Sequence, residues 1–472
     1  MKILIVIHQF LPSNQAGSEI YTCHLAKELS KHHEVHLFFP EYDPQERQYQ
    51  IVNGTYDHLS YTQVLYHRKY FSLKGTYLNR KMDKIFEKLL DEQKPDIIHF
   101  QHLLHLSTNF VSLAKLRNIP ILYTLHDYWI ICPTGQMLKD NLEICRIPDQ
   151  CTDCHVAKFL NFIVFRHFSL RRFITKRIPD FLKPILQKLI DHPNENSINP
   201  IHQQSMTNSG SIPDSYIKKC LQMISIAKVK RSLDRRRKHM SQICNDIDLF
   251  IAPSEFLKNE FIKFGIPASK IIYSDYGFSK NLYSNIPRST SDKVRFTFIG
   301  TIVQHKGVHI LIEAFNQIDS SKAELHIYGD LTGWPSYCSY VQRIAKNPKI
   351  IFHGRIENHQ LREALMSTDV LVVPSIWFEN SPLVIHEAFL AGIPVIASNI
   401  GGMAELVKDG LNGLLFEMGD IRDLKSKLQM VIDNPTILKS LNHFPKIKSI
   451  EEDTQNIEQI YYDLTAKSKR ID

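Results

Sequence analysis

Glu379 and Glu387 stand eight positions apart across the junction of an apolar run, DVLVVPS (369–375), and a mixed run, SPLVIHEAFLAG (381–392). The short branched run reads as a buried parallel strand, and the second as a helix that stops at Gly392. In an open parallel sheet, ligands bind where such strand-to-helix loops leave the carboxyl ends of the strands. Pro382 suits a first helical turn, where its missing N–H costs nothing, and Asn380 and Ser381 precede it with backbone donors. A helix start of this kind attracts phosphate. Two carboxylates beside it suit a ligand that also presents hydroxyls, Glu387 accepting from a ribose and Glu379 from a hexose. Taken alone, the pair reads equally as two solvated glutamates on an amphipathic helix.

Other residues with chemical potential sit at comparable junctions. Lys306, in GTIVQHKG (300–307), lies between a strand and the helix VHILIEAF; it offers a mobile point charge for a diphosphate, and Gly307 frees the turn around it. On its own such a lysine is commonly just solvated. IPILYTLHD (119–127) brings His126 to the carboxyl end of a strand, where it either touches ligand or is satisfied by backbone. His99 and His102 repeat that placement less persuasively and are read as structural. In NQAGS (14–18), Gly17 allows close approach of a ligand to the backbone just before a helix. Arg355 follows the strand KIIFHG and either frames a ligand or pairs with Glu357 or Glu363. Four of the eight cysteines, Cys132, Cys145, Cys151 and Cys154, fall within 23 residues and end in a Cys-x-x-Cys pair. Thiols in a reducing compartment argue for metal before disulfides, so the cluster is either a structural zinc site, with His155 as a substitute ligand, or a set of unligated, redox-labile thiols.

The string ENSPLVIHE followed by EAFLAGIPVIASNIGGMAELVKDGLNGLLF, with FIGTIVQHKGVHILIEAF upstream, resembles the donor-binding signature of the retaining family-four glycosyltransferases, which share the two-domain GT-B fold. The resemblance reaches back to the N-terminus and covers most of the chain. It implies donor contacts at Gly17, Asn380, Ser381, Pro382, Leu383, Val384 and Glu387, with Arg355 framing the base. Lys306 is implied on the donor phosphates, Glu379 on the hexose and His126 on the transferred ring from across the cleft. Many members carry Arg where this chain has Thr301, so one of two expected phosphate cations is missing here. Catalysis would need no cofactor, the nucleotide-diphosphate sugar being a substrate, and the acceptor would be a glycan or a lipid-linked sugar. The rival readings are a catalytically silent nucleotide-sugar-binding protein and an epimerase or phosphorylase on the same scaffold.

The elements that must position these residues follow from the pattern of the chain. Alternating strands and helices predict two doubly wound α/β sheets facing across a cleft. The expected bodies are 1–280, with a cysteine-rich loop (132–155) and a basic excursion (156–240), and 281–450, which carries the donor site. A last helix within 451–472 returns to the first. At 472 residues, 43% hydrophobic and 22% charged, the composition is that of a soluble globular protein. No apolar run reaches the length of a membrane span, and KILIVI reads as a first strand, so a cytoplasmic location is expected. The net charge of +8 is local, because 156–240 holds 17 Lys and Arg against 5 Asp and Glu. That segment is either a solvated face or a contact for anionic lipid, acidic glycan or nucleic acid, with a peripheral place on a membrane preferred and no nucleic acid expected.

Overall fold

The computed structural model describes residues 1–43, 45–66, 73–139, 141–146, 151, 154, 226–280, 283, 286–287, 289–319, 321–356 and 358–468. Most of the basic excursion lies outside the described residues. Its end is the helix Ile226–Asp246.

Two parallel sheets form the frame. The first contains β1 (Lys2–Val6), β2 (Glu34–Tyr42), β3 (Ile51–Tyr56), β4 (Leu59–Tyr66), β5 (Ile97–Phe100), β6 (Ile121–Thr124), β7 (Leu249–Ala252) and β8 (Ile271–Tyr273), in the order β3-β4-β2-β1-β5-β6-β7-β8. The second contains β9 (Val294–Ile299), β10 (Ala323–Tyr328), β11 (Ile350–Gly354), β12 (Val370–Val373), β13 (Val395–Ser398) and β14 (Gly413–Phe416), in the order β11-β10-β9-β12-β13-β14. Every pairing is parallel except β3 with β4. The central strands IIHF, ILYT, VLVV and VIAS are buried at every position, which is why they read as continuous apolar runs.

The expected helices form where local chemistry favours them. Ser254 accepts from the Leu257 amide at 3.1 Å and opens the helix Glu255–Phe264, which closes on Gly265 in the left-handed region. The elbow helix Leu383–Leu390 follows Pro382 and ends just before Gly392. Sequence reading did not separate the β3–β4 hairpin, whose two-residue turn puts Asp57 and His58 at φ 48 and 69, nor did it give the short edge strands β8 and β14.

The terminal helix Ile450–Ser468 crosses back to the first sheet, as expected. Tyr21 donates to Asp453 at 2.9 Å, His33 pairs with Glu458 at 3.0 Å, and Tyr461 meets His99 at 2.7 Å. Ile450, Ile457, Tyr461 and Leu464 are buried in one apolar cluster with Ile3, Ile5 and Leu25. Removing that apolar surface from water is the main force holding the helix there. The chain crosses between the sheets twice, side by side: the Phe278 amide donates to the Lys448 carbonyl and the Ile450 amide to the Phe278 carbonyl, both at 3.0 Å. No described helix is long and apolar enough to cross a membrane.

Candidate functional site

Each sheet has one switch point where neighbouring strands lead onward in opposite directions, and such points are where open α/β sheets bind ligands. In the second sheet it falls between β9 and β12. The turn Gln304–Lys306 follows β9 and the 374–382 elbow follows β12, so both converge there. Gly307 makes this possible: its φ is +71, and a β-carbon would lie 1.8 Å from the Pro374 carbonyl oxygen. Gly402 does the same from the other side, where a β-carbon would lie 1.4 Å from the Asn380 carbonyl oxygen; its amide donates to Glu379 O at 2.8 Å.

The elbow brings the expected donor residues together. Lys306 Nζ donates to Glu379 Oε1 at 2.6 Å, Ser375 Oγ donates to the same oxygen at 2.7 Å, and the ammonium stands 5.5 Å from the Trp377 ring centre. Lys306 has two further N–H donors beyond the one Glu379 takes. Leu383 and Val384 open the elbow helix with no side-chain cap, leaving their amides for a ligand. Tyr283 donates to Glu387 Oε1 at 3.0 Å, and burial pushes this carboxyl up to about 7. Thr301 and Arg355 are exposed at the carboxyl ends of β9 and β11, on the same rim as Lys306.

The Ser381 hydroxyl is engaged within the protein. It donates to Asp275 Oδ1 at 2.7 Å and lies 2.7 Å from His386 Nε2, which is 3.4 Å from Asp275 Oδ2. Asp275 follows β8 of the first sheet, so this triangle clasps the elbow to the opposite body. Serine, histidine and aspartate here do not form a nucleophilic triad, because the aspartate and the serine both address the same ring nitrogen. Further contacts cross the cleft: Asn380 Nδ2 donates to the His126 carbonyl, and Leu383 Cδ1 would lie 3.2 Å from a β-carbon at Gly17.

His126 ends β6 facing the elbow, with both ring nitrogens engaged. Gln101 presents its amide to His99 Nε2 at 3.1 Å and its oxygen to His126 Nε2 at 2.7 Å. The Tyr276 hydroxyl lies 2.8 Å from His126 Nδ1. Burial drives His126 down to about 3, so the ring is neutral; Nε2–H donates to Gln101, and Nδ1 accepts from Tyr276. This chain continues through His99 to Tyr461 on the terminal helix. His99 is thus structural, as read. Gln101, Tyr276, Asp275, His386 and Tyr283 were not singled out from the sequence, although Gln101 directly follows a strand end.

Among the cysteines, Cys132 and Cys145 are buried, and Cys151 packs on the apolar cluster that contains Cys132. The Cys151 thiol is pushed up to about 12, first by burial and then by the neighbouring Cys132, Cys145 and Cys154. Among the described residues, no three His, Cys, Asp or Glu side chains stand in an arrangement that holds a metal ion. As they stand, these thiols are neighbours without being a formed metal site, and no step of the chemistry is routed through them.

Residues 279–447 match the family described as Glycosyl transferases group 1, and residues 16–147 that described as Glycosyltransferase Family 4. An uncharacterized glycosyltransferase of Methanocaldococcus jannaschii is 30% identical over 224 residues, 46% of this chain and 60% of that protein. The chain spans less than two thirds of the length of the curated relatives it matches. The fold is that of sucrose-phosphate synthase from Thermosynechococcus elongatus (TM-score 0.62, 17% identity, 99% of each chain). It is also that of Anabaena HepE in complex with UDP and glucose (TM-score 0.57, 16% identity, 100% of this chain and 98% of that one).

Proposed function

From its membership of the family-four glycosyltransferases of the GT-B fold, we propose that this chain is a retaining transferase moving a hexose or N-acetylhexosamine from a nucleotide-diphosphate sugar. The acceptor is a glycan or lipid-linked sugar in cell-surface polysaccharide synthesis. The 281–450 body holds the donor and the 1–280 body the acceptor. The observation that carries this reading is the Lys306–Glu379 contact of 2.6 Å beside the uncapped start of the elbow helix, at the switch point of the second sheet. A lysine, uncapped amides and a carboxylate this close together support a site for a diphosphate joined to a hydroxyl-bearing sugar.

In this reading the diphosphate takes Lys306 and the amides of Leu383 and Val384, releasing Glu379 to accept from the hexose. Glu387 accepts from the ribose. The acceptor oxygen bonds to the anomeric carbon as the bond from that carbon to the diphosphate breaks, and the acceptor proton passes to the departing diphosphate. The protein's contribution is electrostatic stabilisation of that leaving group and exclusion of water when the bodies close. His126, with its ring nitrogens held by Gln101 and Tyr276, faces the transferred ring as a fixed wall. With Thr301 in place of a second cation, charge neutralisation falls on Lys306 and the helix start.

The test is binding and turnover over UDP, GDP and ADP sugars by the wild type, Lys306→Ala and Glu379→Ala. Turnover of one donor, reduced at least about a hundredfold in both variants, is expected, since each loses a contact strengthened in the transition state. Tight binding without transfer to any acceptor points instead to a silent binding protein, the reading that Thr301 favours. Free-phosphate dependence or acceptor-free isomerisation points to a phosphorylase or an epimerase.

A further inference from the structure

Four titratable side chains outside the donor site converge at the other switch point, between β1 and β5 of the first sheet. His8 follows β1 and His102 follows β5, and their ring centres are 4.2 Å apart. The Leu104 amide donates to His102 Nδ1 at 3.0 Å, which puts the proton of the neutral ring on Nε2; that Nε2–H donates to Asp127 Oδ1 at 3.2 Å. The Trp129 amide donates to the same oxygen at 2.7 Å. Oδ1 therefore already takes two donors, and Oδ2, on a side chain 32% exposed, is left for a third.

On the far side of His8, Glu19 is fully buried in the first turn of the helix Gly17–Leu29, and its Oε1 has no hydrogen-bond partner. It lies 3.8 Å from His8 Nε2. Closing about 0.8 Å would make that contact an ordinary hydrogen bond and give the orphaned oxygen its donor. The result is two opposed pairs: a carboxylate with an imidazole behind it, Asp127 on His102, and an imidazole with a carboxylate behind it, His8 on Glu19. Among the described residues, neither carboxylate forms an ion pair with lysine or arginine.

Resting on the transferase reading above, we propose that Asp127 contacts the acceptor, with His102 as its positioning residue and the His8–Glu19 pair packed behind it, and that this subsite selects a neutral, hydroxyl-bearing ring. A carboxylate presenting a free oxygen accepts from hydroxyls and repels anions; Arg236, the cation that acts on Asp127, is itself buried with its guanidinium donating to the Trp129 and Ile130 carbonyls, out of a ligand's reach. The Asn380 contact to the His126 carbonyl keeps the elbow against the residue preceding Asp127, so acceptor and donor meet there.

The experiment compares neutral 4-nitrophenyl hexosides with the matching 4-nitrophenyl uronides. Saturation-transfer NMR gives binding and product formation gives transfer, on the wild type, Asp127→Asn and Glu19→Gln, with nucleoside diphosphate affinity measured in parallel. The expected result is at least a tenfold preference of the wild type for a neutral hexoside, falling below threefold in Asp127→Asn while nucleoside diphosphate affinity stays within twofold. Glu19→Gln is expected to raise the acceptor KM with a smaller effect on kcat. Equal handling of both probe classes by the wild type, an unchanged preference in Asp127→Asn, or binding of neither class would overturn the proposal. A wild type that binds no nucleotide sugar yet keeps the neutral preference by NMR would sink the donor reading alone.

Discussion

Burial of Glu387 gives one substitution two opposite effects with a common pH dependence. Its carboxyl is raised from 4.5 to about 7 in the folded protein. Between those values the folded state holds a proton that the unfolded state has released, so stability falls as pH rises through this window and is level above it. A shift of that size corresponds to at most about 3 kcal/mol, an upper bound because the residue keeps part of its surface. Glu387→Gln, which retains an acceptor for the Tyr283 hydroxyl, escapes this loss and is expected to gain up to about 3 kcal/mol on the wild type between pH 4 and pH 8. Nucleotide-sugar binding runs the other way. If the ionised carboxylate accepts from the ribose, the competent fraction is about a tenth at pH 6 and about nine tenths at pH 8, so wild-type affinity rises roughly tenfold. Urea unfolding across pH and calorimetric titration with a nucleotide sugar, whose diphosphate does not titrate in this range, measure both effects. A wild-type affinity flat from pH 6 to 8, or a Glu387→Gln protein that loses stability relative to wild type as pH rises, would refute the reasoning.

Gly307→Ala forces a β-carbon against the Pro374 carbonyl at a positive φ; a loss upward of about 3 kcal/mol in urea unfolding is expected, with nucleotide affinity falling because the elbow shifts. Tyr461→Phe leaves the buried His99 Nδ1 without its partner, so about 1–3 kcal/mol of stability should go. If the chain through Gln101 holds His126 in place, turnover should fall further than that stability loss explains, whereas an unchanged kcat would detach the terminal helix from the site. For the cysteines, elemental analysis decides: less than about a tenth of an equivalent of zinc in purified protein removes the four-thiolate expectation for Cys132, Cys145, Cys151 and Cys154.

Much of the architecture was legible because it rests on local rules. Apolar runs such as DVLVVPS and IPVIAS read as strands covered on both faces, and Pro382 and Gly392 mark helix ends through backbone chemistry that needs no distant partner. The elbow could be read because one loop carries it: Glu379 through Val384 are contiguous, and Lys306 lies in a loop of the same kind. What the sequence could not show was pairing between residues far apart in the chain. Nothing in FQH or SDYG says that Gln101 and Tyr276 will fix the His126 tautomer, that Asp275 will hold Ser381, or that the His8 and His102 rings will meet at a switch point. Strand order decides those contacts. That order is set by how whole faces bury against one another, so the sequence by itself determined the two sheets and the elbow between β12 and its helix, while the tertiary structure alone decided which polar groups meet across the cleft.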